Sequence, residues 1–545
     1  MRFKNLINKY ASEIIVLFIG SSFGFILFFS TFFKDGDKIY IASKAWSDFA
    51  SHIPLIRSFS LGFNFPPQFP LFPGEPIKYH FIFYYLVGIL EKIGLNIVLA
   101  LNIPSFLGFV FLIFMIYFFA KELFKSKSVG ILSVIFFLFN SSLTYIYFFK
   151  KYPPSIDSIS QIIKNADFLS FAPYGDGIIS AFWNLNIYTN QRHLAVSFGL
   201  SLLIIYLSIK PLIKNENPKI RTYVILGSIL GLSFYLHTAV FLMTIIIMGA
   251  LLIQLKGLRK NIFVLMLAAA AISLPQYFYL TSSPGFSPHL QAGYLISGDL
   301  NPKNIIEFWV YNLGICLFLI PLGFIFANKF QRNILFSFFM LFIVGNTIQF
   351  SPEIAANHKF FNFFLILGNM FSAFIIIKIF KKKVISALAI ILVIFMTLGG
   401  IIDLFPIVND RKYELNDHKT NADAKWILEN TEKDSIFLNT IFLYNPASIA
   451  GRKIFLGWPY FAWSQGYDTY KRGDVIKSIL SSTNKSEACS LLLESSIDYV
   501  EIKIQDPPDP NVPTISSLYE EEFTKSYENI NNNYSIYSVH KNCGL

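Results

Sequence analysis

The residues best suited to chemistry in this sequence are Asp48 and His52, four positions apart in the segment KAWSDFASH. Residues at that spacing share one face of a helix. A carboxylate beside an imidazole near the lipid boundary can act as a general base, and the carboxylate can also bind a divalent ion. The spacing alone leaves a solvated helix face as the alternative. Asp48 and His52 are therefore the catalytic candidates.

Other ionisable side chains stand where apolar runs meet polar segments. Cations at an interface can bind a lipid phosphate, although Lys and Arg at the end of a span also extend toward water without a functional role. His237 interrupts a long apolar run, and such a group usually faces a cavity or a partner. Asp176, between two glycines, is the candidate for a second acidic group. The substrate-binding candidates are Glu75, Lys78, His80, Arg192, His193, His237, His358 and Lys359.

The chain that must position these residues has the composition of a membrane protein. Its 545 residues are 54% hydrophobic and 14% charged, whereas soluble domains have roughly 45 to 50% apolar and about 25% charged residues. The formal net charge of +11 comes from short clusters of Lys and Arg between apolar runs, as the positive-inside rule requires. We therefore expect the lipid bilayer as a partner and no nucleic acid.

Apolar runs and basic clusters together predict the topology. The first run, Ile14 to Phe33, is too long for a signal peptide, and no A-x-A-like cleavage site follows it. Alternation from there gives about 11 transmembrane helices, with the N-terminus inside and the C-terminus outside. The run from Phe81 to Leu90 is expected to lie at the outer interface, and Val129 to Phe149 to form one span. The stretch from Tyr223 to Leu255 is expected to form two spans joined near His237.

The predicted fold is an α-helical polytopic membrane protein with a small extracytoplasmic α/β domain. Residues 1–405 form the transmembrane domain, with large outer loops at 34–96 and 150–193, and residues 406–545 have a soluble composition. In the latter, NADAKWILENTEKDSIFLNT predicts a helix and then a strand, and IDYVEIKI alternates as a strand does. An oxidising compartment would allow Cys489 and Cys543 to form a disulfide. The candidate residues then face the outside of the cell membrane.

This order of features resembles the GT-C superfamily of membrane glycosyltransferases, which includes protein O-mannosyltransferases and lipid A aminoarabinose transferases. The resemblance covers roughly Ile14 to Leu255. It is carried by the acidic first loop and by PIKYHFIFYYLVGILEKIG, LNIPSFLGFVFLIFMIYFFAKELF, SVGILSVIFFLFNSS and LGSILGLSFYLHTAVFLMTIIIMGALL. No GxxxxGK[ST], GxGxxG or HExxH motif is present, so the sequence does not indicate a nucleotide-driven pump, a dinucleotide enzyme or a zincin.

The resemblance implies transfer of a hexose or pentose from a polyprenyl-phosphate donor to a glycan, lipid or protein acceptor on the extracytoplasmic face. Asp48 takes the place of the first-loop acid, as base or as ligand of a divalent ion such as Mg²⁺ or Mn²⁺. Many members have an acidic pair, whereas here Phe49 follows Asp48. Lys78 or His80 can hold the donor phosphate. The alternatives are a transporter or flippase of lipid-linked saccharides and a non-enzymatic envelope assembly protein.

Overall fold

Helices make up most of the first four hundred residues. The computed structural model describes residues 2–140, 142–169, 178–282, 285–505, 507 and 509–544, apart from the side chains of residues 2–8 and 383. The helices of this part are α1 (Arg2–Thr31), α2 (Trp46–Ser60), α3 (Ile82–Lys92), α4 (Ile97–Phe124), α5 (Lys127–Leu138), α6 (Thr144–Lys151), α7 (Ser158–Ile163), α8 (Ser180–Trp183), α9 (Asn186–Asn190), α10 (Leu194–Lys214), α11 (Ile220–Leu232), α12 (Thr238–Gln254), α13 (Arg259–Leu280), α14 (Pro302–Leu313), α15 (Cys316–Phe326), α16 (Lys329–Thr347), α17 (His358–Phe380) and α18 (Ser386–Val408).

Several of these helices are suited to a lipid environment. Among the described residues, 6 helices are long and apolar enough to cross a membrane, or 7 if α14 and α15, bent by 90°, count as one span. Helices α5, α11 and α12 are apolar but shorter. The polytopic helical fold is therefore confirmed, while the figure of about 11 spans stays a prediction. The spans that meet the length criterion are Lys9–Thr31, Ile97–Phe124, Leu194–Lys214, Lys256–Leu280, Ile354–Phe380 and Ser386–Val408.

Two predicted features of the helical part occur and one does not. Helix α3 forms where a short interfacial helix was expected, and α11 and α12 are separated by a break that contains His237. The single span predicted from Val129 to Phe149 is wrong, because α5 ends at Leu138 and α6 begins only at Thr144. After α5, the Asn140 side chain donates to the Trp183 carbonyl at 2.9 Å. Apolar composition could not predict this polar contact, because it joins residues that are far apart in the chain.

A three-stranded antiparallel sheet joins the ends of the first and last long helices. Strands β1 (Phe32–Asp35) and β2 (Lys38–Ala42) follow α1 directly, and a strand at Lys412–Asn416 follows α18. This last strand pairs with β2, with Ile39 opposite Leu415. The two chain segments that leave these helices therefore lie side by side, next to α2.

The C-terminal region is a mixed α/β structure. Its five-stranded sheet has the order β11 (Lys525–Asn529), β12 (Tyr534–Ser538), β10 (Tyr499–Lys503), β8 (Ile436–Asn439) and β9 (Lys453–Ile454). In this sheet β8 is parallel to β9 and β10, and β12 is antiparallel to both of its neighbours. The helix and the two strands predicted from sequence occur as α19 (Ala422–Asn430), β8 and β10. The remaining strands are β3 (Gln68–Phe69), β4 (Phe72–Pro76), β5 (His289–Leu290), β6 (Ile348–Gln349) and β7 (Lys412–Asn416), and the remaining helices are α20 (Pro446–Ile449), α21 (Pro459–Ser464), α22 (Thr469–Ser481), α23 (Lys485–Glu494), α24 (Leu518–Glu521) and α25 (Val539–Cys543).

The first outer loop and the C-terminal region share one apolar core. Phe49 and Ile53 of α2 are buried in the same cluster as Ala447 and Ile449 of α20. Buried apolar area stabilises such contacts by about 25 cal/mol per Å². Helix α2 is therefore packed against the C-terminal region.

A buried arginine fixes α2 further. Arg57 is 1% exposed, and its Nη2 lies 3.1 Å from Glu91 of α3 and 2.8 Å from Asp417, just after β7. Two carboxylates from two different segments thus converge on one guanidinium. A buried cation of this kind is stabilising only while its partners remain. The three segments are therefore linked around α2.

Candidate active site

Asp48 lies in the first turn of α2, where the helix dipole favours a carboxylate. The side chain is partly exposed. Burial raises the pKa of Asp48 to about 6, the charge of Lys359 opposes this effect, and the charge of Glu353 adds to it. A carboxylate with such a pKa is ionised at neutral pH and is basic enough to accept a proton from a substrate.

His52 lies one helical turn after Asp48 but points into a buried aromatic environment. Its ring centroid is 4.7 Å from that of Tyr84 and 6.3 Å from that of His193. Burial, with the charge of Arg192, lowers the pKa of His52 to about 3, so the ring is neutral. Within the described residues no hydrogen bond joins His52 to Asp48, and its Nδ1 has no partner. The helical spacing is as predicted, whereas the pairing of the two side chains is not observed.

Three histidines from distant parts of the chain meet beside His52. His80 precedes α3, His193 precedes α10, and His237 lies between α11 and α12. The Nε2 atoms of His80 and His193 are 2.6 Å apart. The His237 ring is stacked on His80 at a centroid distance of 4.3 Å and lies 4.9 Å from that of His193. We call these three residues the histidine cluster.

The histidine cluster is buried and uncharged. Its members are 6%, 0% and 1% exposed, in chain order. Burial lowers the pKa of each ring well below its ordinary value, and the positive charge of Lys359 acts in the same direction. Each ring therefore offers a nitrogen lone pair, the form in which imidazole binds metal ions.

The donor atoms of the site do not match Mg²⁺ or Mn²⁺. One nitrogen from each ring of the histidine cluster lies within 4.8 Å of the other two, and no other group of three or more potential ligands occurs among the described residues. Mg²⁺ and Mn²⁺ prefer oxygen ligands, whereas imidazole suits zinc and similar ions. The structure thus offers no oxygen-rich ligand set around Asp48 in the part of the chain it describes.

Lys359 is the second residue of α17 and is partly exposed. It has no ion-pair partner in the described ranges. Its charge nevertheless affects Asp48 and each member of the histidine cluster, so the ammonium faces the same space as those residues. A cation in this position is suited to bind an anionic group of a substrate.

Glu353 is a second acidic residue beside Asp48 that the sequence analysis missed. Its charge raises the pKa of Asp48, and its Oε2 accepts a hydrogen bond from the hydroxyl of Tyr460. Glu353 stands just before one end of the long apolar helix α17, and the other candidates also stand at the edges of apolar runs. That position was the signal that could have identified it. Asp176, the predicted second acid, lies outside the described residues.

Arg192 is a structural cation beneath the site. It is 1% exposed and donates to the Thr189 carbonyl at 2.7 Å, to Asn102 Oδ1 at 3.0 Å and to Thr31 Oγ1 at 3.0 Å. Its guanidinium lies 4.7 Å from the ring centroid of Phe28. Burial lowers the pKa of Arg192 to about 9, so it stays charged at neutral pH. Because each of its three nitrogens already donates to a protein oxygen and the side chain is buried, the structure does not favour direct binding of a phosphate by this residue.

The predicted cation Lys78 is also engaged. Its ammonium is 3.0 Å from the carboxylate of Glu75, 3.3 Å from the Gly466 carbonyl and 4.4 Å from the ring centroid of Tyr467. Through these contacts, Lys78 connects residues 34–96 to the C-terminal region. Glu75 and Lys78 therefore form an ion pair at this contact, and the charge of Lys78 is largely balanced.

His358 lies beside Lys359 but is packed differently from the histidine cluster. Its ring is stacked on Phe182 at 4.6 Å, and its Nδ1 lies 3.1 Å from Nδ2 of Asn362. Gln191 is the neighbour of its other nitrogen, at 3.5 Å. These amide contacts indicate a positioning role at the start of α17.

The C-terminal region supplies a wall of the site. The Tyr444 hydroxyl donates to the Trp46 carbonyl at 2.5 Å, and the two rings are 4.1 Å apart. Tyr444 also lies close enough to Asp48 to be affected by its charge. Its φ of +52° is in the left-handed region, which few residues other than glycine adopt without support. Tyr444, near Asp48, and Tyr460, which donates to Glu353, therefore place the C-terminal region beside these two acidic residues.

The fold matches solved structures although the sequence does not reveal a relative. No family model and no curated protein matches the chain. A crystal structure of an oligosaccharyltransferase from Archaeoglobus fulgidus, tethered to an acceptor peptide with the NVT sequon, matches with a TM-score of 0.51 at 13% identity, over 92% of this chain and 70% of that chain. The apo form of that protein matches with the same TM-score and identity, over 91% and 70%. At this level of identity, the chain shares the fold of these oligosaccharyltransferase structures.

Proposed function

We propose that the chain is a membrane glycosyltransferase that transfers a sugar from a polyprenyl-phosphate-linked donor to an acceptor on the extracytoplasmic face. The observation that carries this proposal is the partly exposed Asp48, which lies within reach of the charge of Lys359, a cation that has no ion-pair partner among the described residues. One group is suited to accept a proton and the other to hold a phosphate. The fold shared with oligosaccharyltransferases supports the same reaction class.

In the proposed reaction, an acceptor hydroxyl attacks the anomeric carbon of the donor sugar while the bond from that carbon to the phosphate oxygen breaks. The electron pair of the broken bond leaves with polyprenyl phosphate, and the hydroxyl proton moves to Asp48. Lys359 stabilises the negative charge that develops on the leaving phosphate. A preorganised donor of this kind contributes a few kcal/mol, roughly a factor of 10² to 10³ in rate.

The proposal includes a topology. The N-terminus lies in the cytoplasm, about 11 spans follow, and residues 406–545 form an extracytoplasmic domain that positions the acceptor. The disulfide between Cys489 and Cys543, whose Cα atoms are 5.4 Å apart, supports an oxidising location for that domain. Labelling of single introduced cysteines with a membrane-impermeant reagent tests this orientation.

Transfer of a labelled sugar in proteoliposomes tests the function. Purified chain is reconstituted with a polyprenyl-phosphate donor and a panel of peptide, lipid and glycan acceptors. The expected result is a new glycosidic product together with free polyprenyl phosphate. Movement of intact donor between leaflets without product would contradict transfer and would support a flippase.

A further inference from the structure

We propose that the histidine cluster of His80, His193 and His237 is a binding site for a transition-metal dication of the Zn²⁺ type. This site goes beyond the proposed sugar transfer, and its existence does not depend on that reaction. It differs in ligand chemistry from the Mg²⁺ or Mn²⁺ site that the sequence resemblance implies at Asp48. The argument rests on the positions and partners of the three rings.

The first support is the geometry of the nitrogens. Three rings from three separate segments present nitrogens within 4.8 Å of one another. Tetrahedral Zn²⁺ with bonds of about 2.0–2.1 Å separates its ligand nitrogens by about 3.3 Å. The 2.6 Å between His80 and His193 lies below this value. Ring movements of about 1 Å would therefore be enough to form the site.

The second support is the unpartnered state of His237. The ring is 1% exposed, and neither of its nitrogens has a hydrogen-bond partner among the described residues. Leaving a buried polar group without a partner is unfavourable, because the group has lost its hydrogen bonds to water. A metal ion between the three rings would provide the missing partner for one of these nitrogens.

A third support is the residue behind His193. The Tyr84 hydroxyl lies 2.9 Å from His193 Nδ1, on the opposite side of the ring from the contact with His80. Metal-bound histidines usually donate their second N–H to such an acceptor, which fixes the tautomer that binds the metal. Tyr84 is fully buried, so this contact is protected from water.

The surrounding charges indicate which ligand fits. The charge of Lys359 acts on each ring of the cluster and opposes a bound cation, whereas the rings themselves carry no charge. Uncharged imidazoles are good metal ligands but poor partners for an anion, because they carry no positive charge. Three protein ligands would leave the fourth position of a tetrahedral ion open to water or another small ligand, whereas a structural zinc site has four protein ligands.

Metal titration of the purified full chain tests this site. The protein carries an affinity tag without histidine and is stripped with a chelator before Zn²⁺ or Co²⁺ is added. We expect about one equivalent of metal per chain, and visible absorption bands of tetrahedral Co²⁺. His237→Gln should weaken binding by at least about 100-fold, and Tyr84→Phe by about 10-fold. The matched control is His289→Gln, an exposed histidine outside the cluster, which should bind as the wild type does.

Two results would overturn the proposal. One is the absence of stoichiometric Zn²⁺ or Co²⁺ binding to the wild-type chain. The other is unchanged binding in His237→Gln and in His80→Gln. Size-exclusion profiles identify any variant that fails to fold, and in that case the milder Tyr84→Phe decides the question, because unchanged metal affinity there contradicts the assigned ligand geometry.

Discussion

Asp48 is expected to determine how sugar transfer depends on pH. Burial raises its pKa to about 6 from the ordinary value of 3.8, so that ionising the carboxyl group costs about 3 kcal/mol more here than in water. Because a general base must be ionised, kcat/KM should rise as the pH rises through the pKa. Asp48 is about nine-tenths ionised at pH 7 and about one-tenth at pH 5, so kcat/KM should fall about tenfold between these values.

Two charged residues near Asp48 allow its assignment as the general base to be tested, because removing them should shift the pH profile in opposite directions. The charge of Lys359 lowers the pKa of Asp48, and the charge of Glu353 raises it. Lys359→Met should therefore move the acid limb to higher pH, whereas Glu353→Gln should move it to lower pH. Three tyrosines lie within reach of the charge of Asp48, namely Tyr79, Tyr84 and Tyr444; burial raises the pKa of each, so they stay neutral in this range.

The assay is kcat/KM for the donor in proteoliposomes, measured from pH 4.5 to pH 8. Lys303→Met removes an exposed lysine outside the site and serves as the matched control. An Asp with its ordinary pKa would stay about nine-tenths ionised at pH 5, and the profile would then be flat above that pH. A flat profile, or equal shifts of the Lys359 and Glu353 variants in one direction, would refute the assignment of Asp48.

Three further predictions concern stability and donor binding. Replacing both Cys489 and Cys543 with Ser removes a cross-link over 54 residues. This change should lower the free energy of unfolding of the C-terminal region by up to about 4 kcal/mol. Thermal unfolding under non-reducing conditions measures the effect. Arg57→Met leaves two largely buried carboxylates without their cation and should cost up to about 3–5 kcal/mol. Unchanged denaturation midpoints would contradict the role assigned to Arg57. Lys359→Met should raise the KM for the donor about tenfold or more, whereas Lys78→Met should raise it less, because Lys78 is already paired; a larger effect at Lys78 would reverse the assignment.

The apolar runs predicted the helices well, because a segment exposed to lipid must satisfy its own backbone hydrogen bonds and therefore forms a helix. A short helix at the position of the predicted interfacial one, and the break at His237, both occur. The prediction fails near Asn140, where the helix ends and the Asn140 side chain contacts Trp183. The mean hydropathy of a long window does not reveal one polar residue within it. It also did not reveal the 90° bend between α14 and α15.

The candidate site was predicted in part. His80, His193 and His237 were selected one by one, because each stands at the edge of an apolar run, and the structure brings all three together. Helical spacing correctly placed Asp48 and His52 one turn apart. It could not determine that His52 turns toward Tyr84 instead of the carboxylate, since spacing does not specify the side-chain direction.

The contributions of distant segments were not predictable from one sequence. Glu353 and Tyr444 lie hundreds of residues from Asp48 along the chain, and no local pattern links them to it. Likewise, charge alone could not show that Glu75 neutralises Lys78 or that neutral acceptors occupy Arg192. Such pairings depend on tertiary packing, which brings together residues without any shared periodicity.

The role of the acidic group is decided by comparing wild-type chain with Asp48→Asn in the reconstituted transfer reaction. The amide has nearly the same size as the carboxylate but cannot accept the proton at neutral pH. Release of polyprenyl phosphate and formation of the glycosylated product are measured together. We predict equal amounts of both products from the wild type and a loss of about 10²-fold or more in Asp48→Asn. Transfer by Asp48→Asn at the wild-type rate would contradict the proposed mechanism.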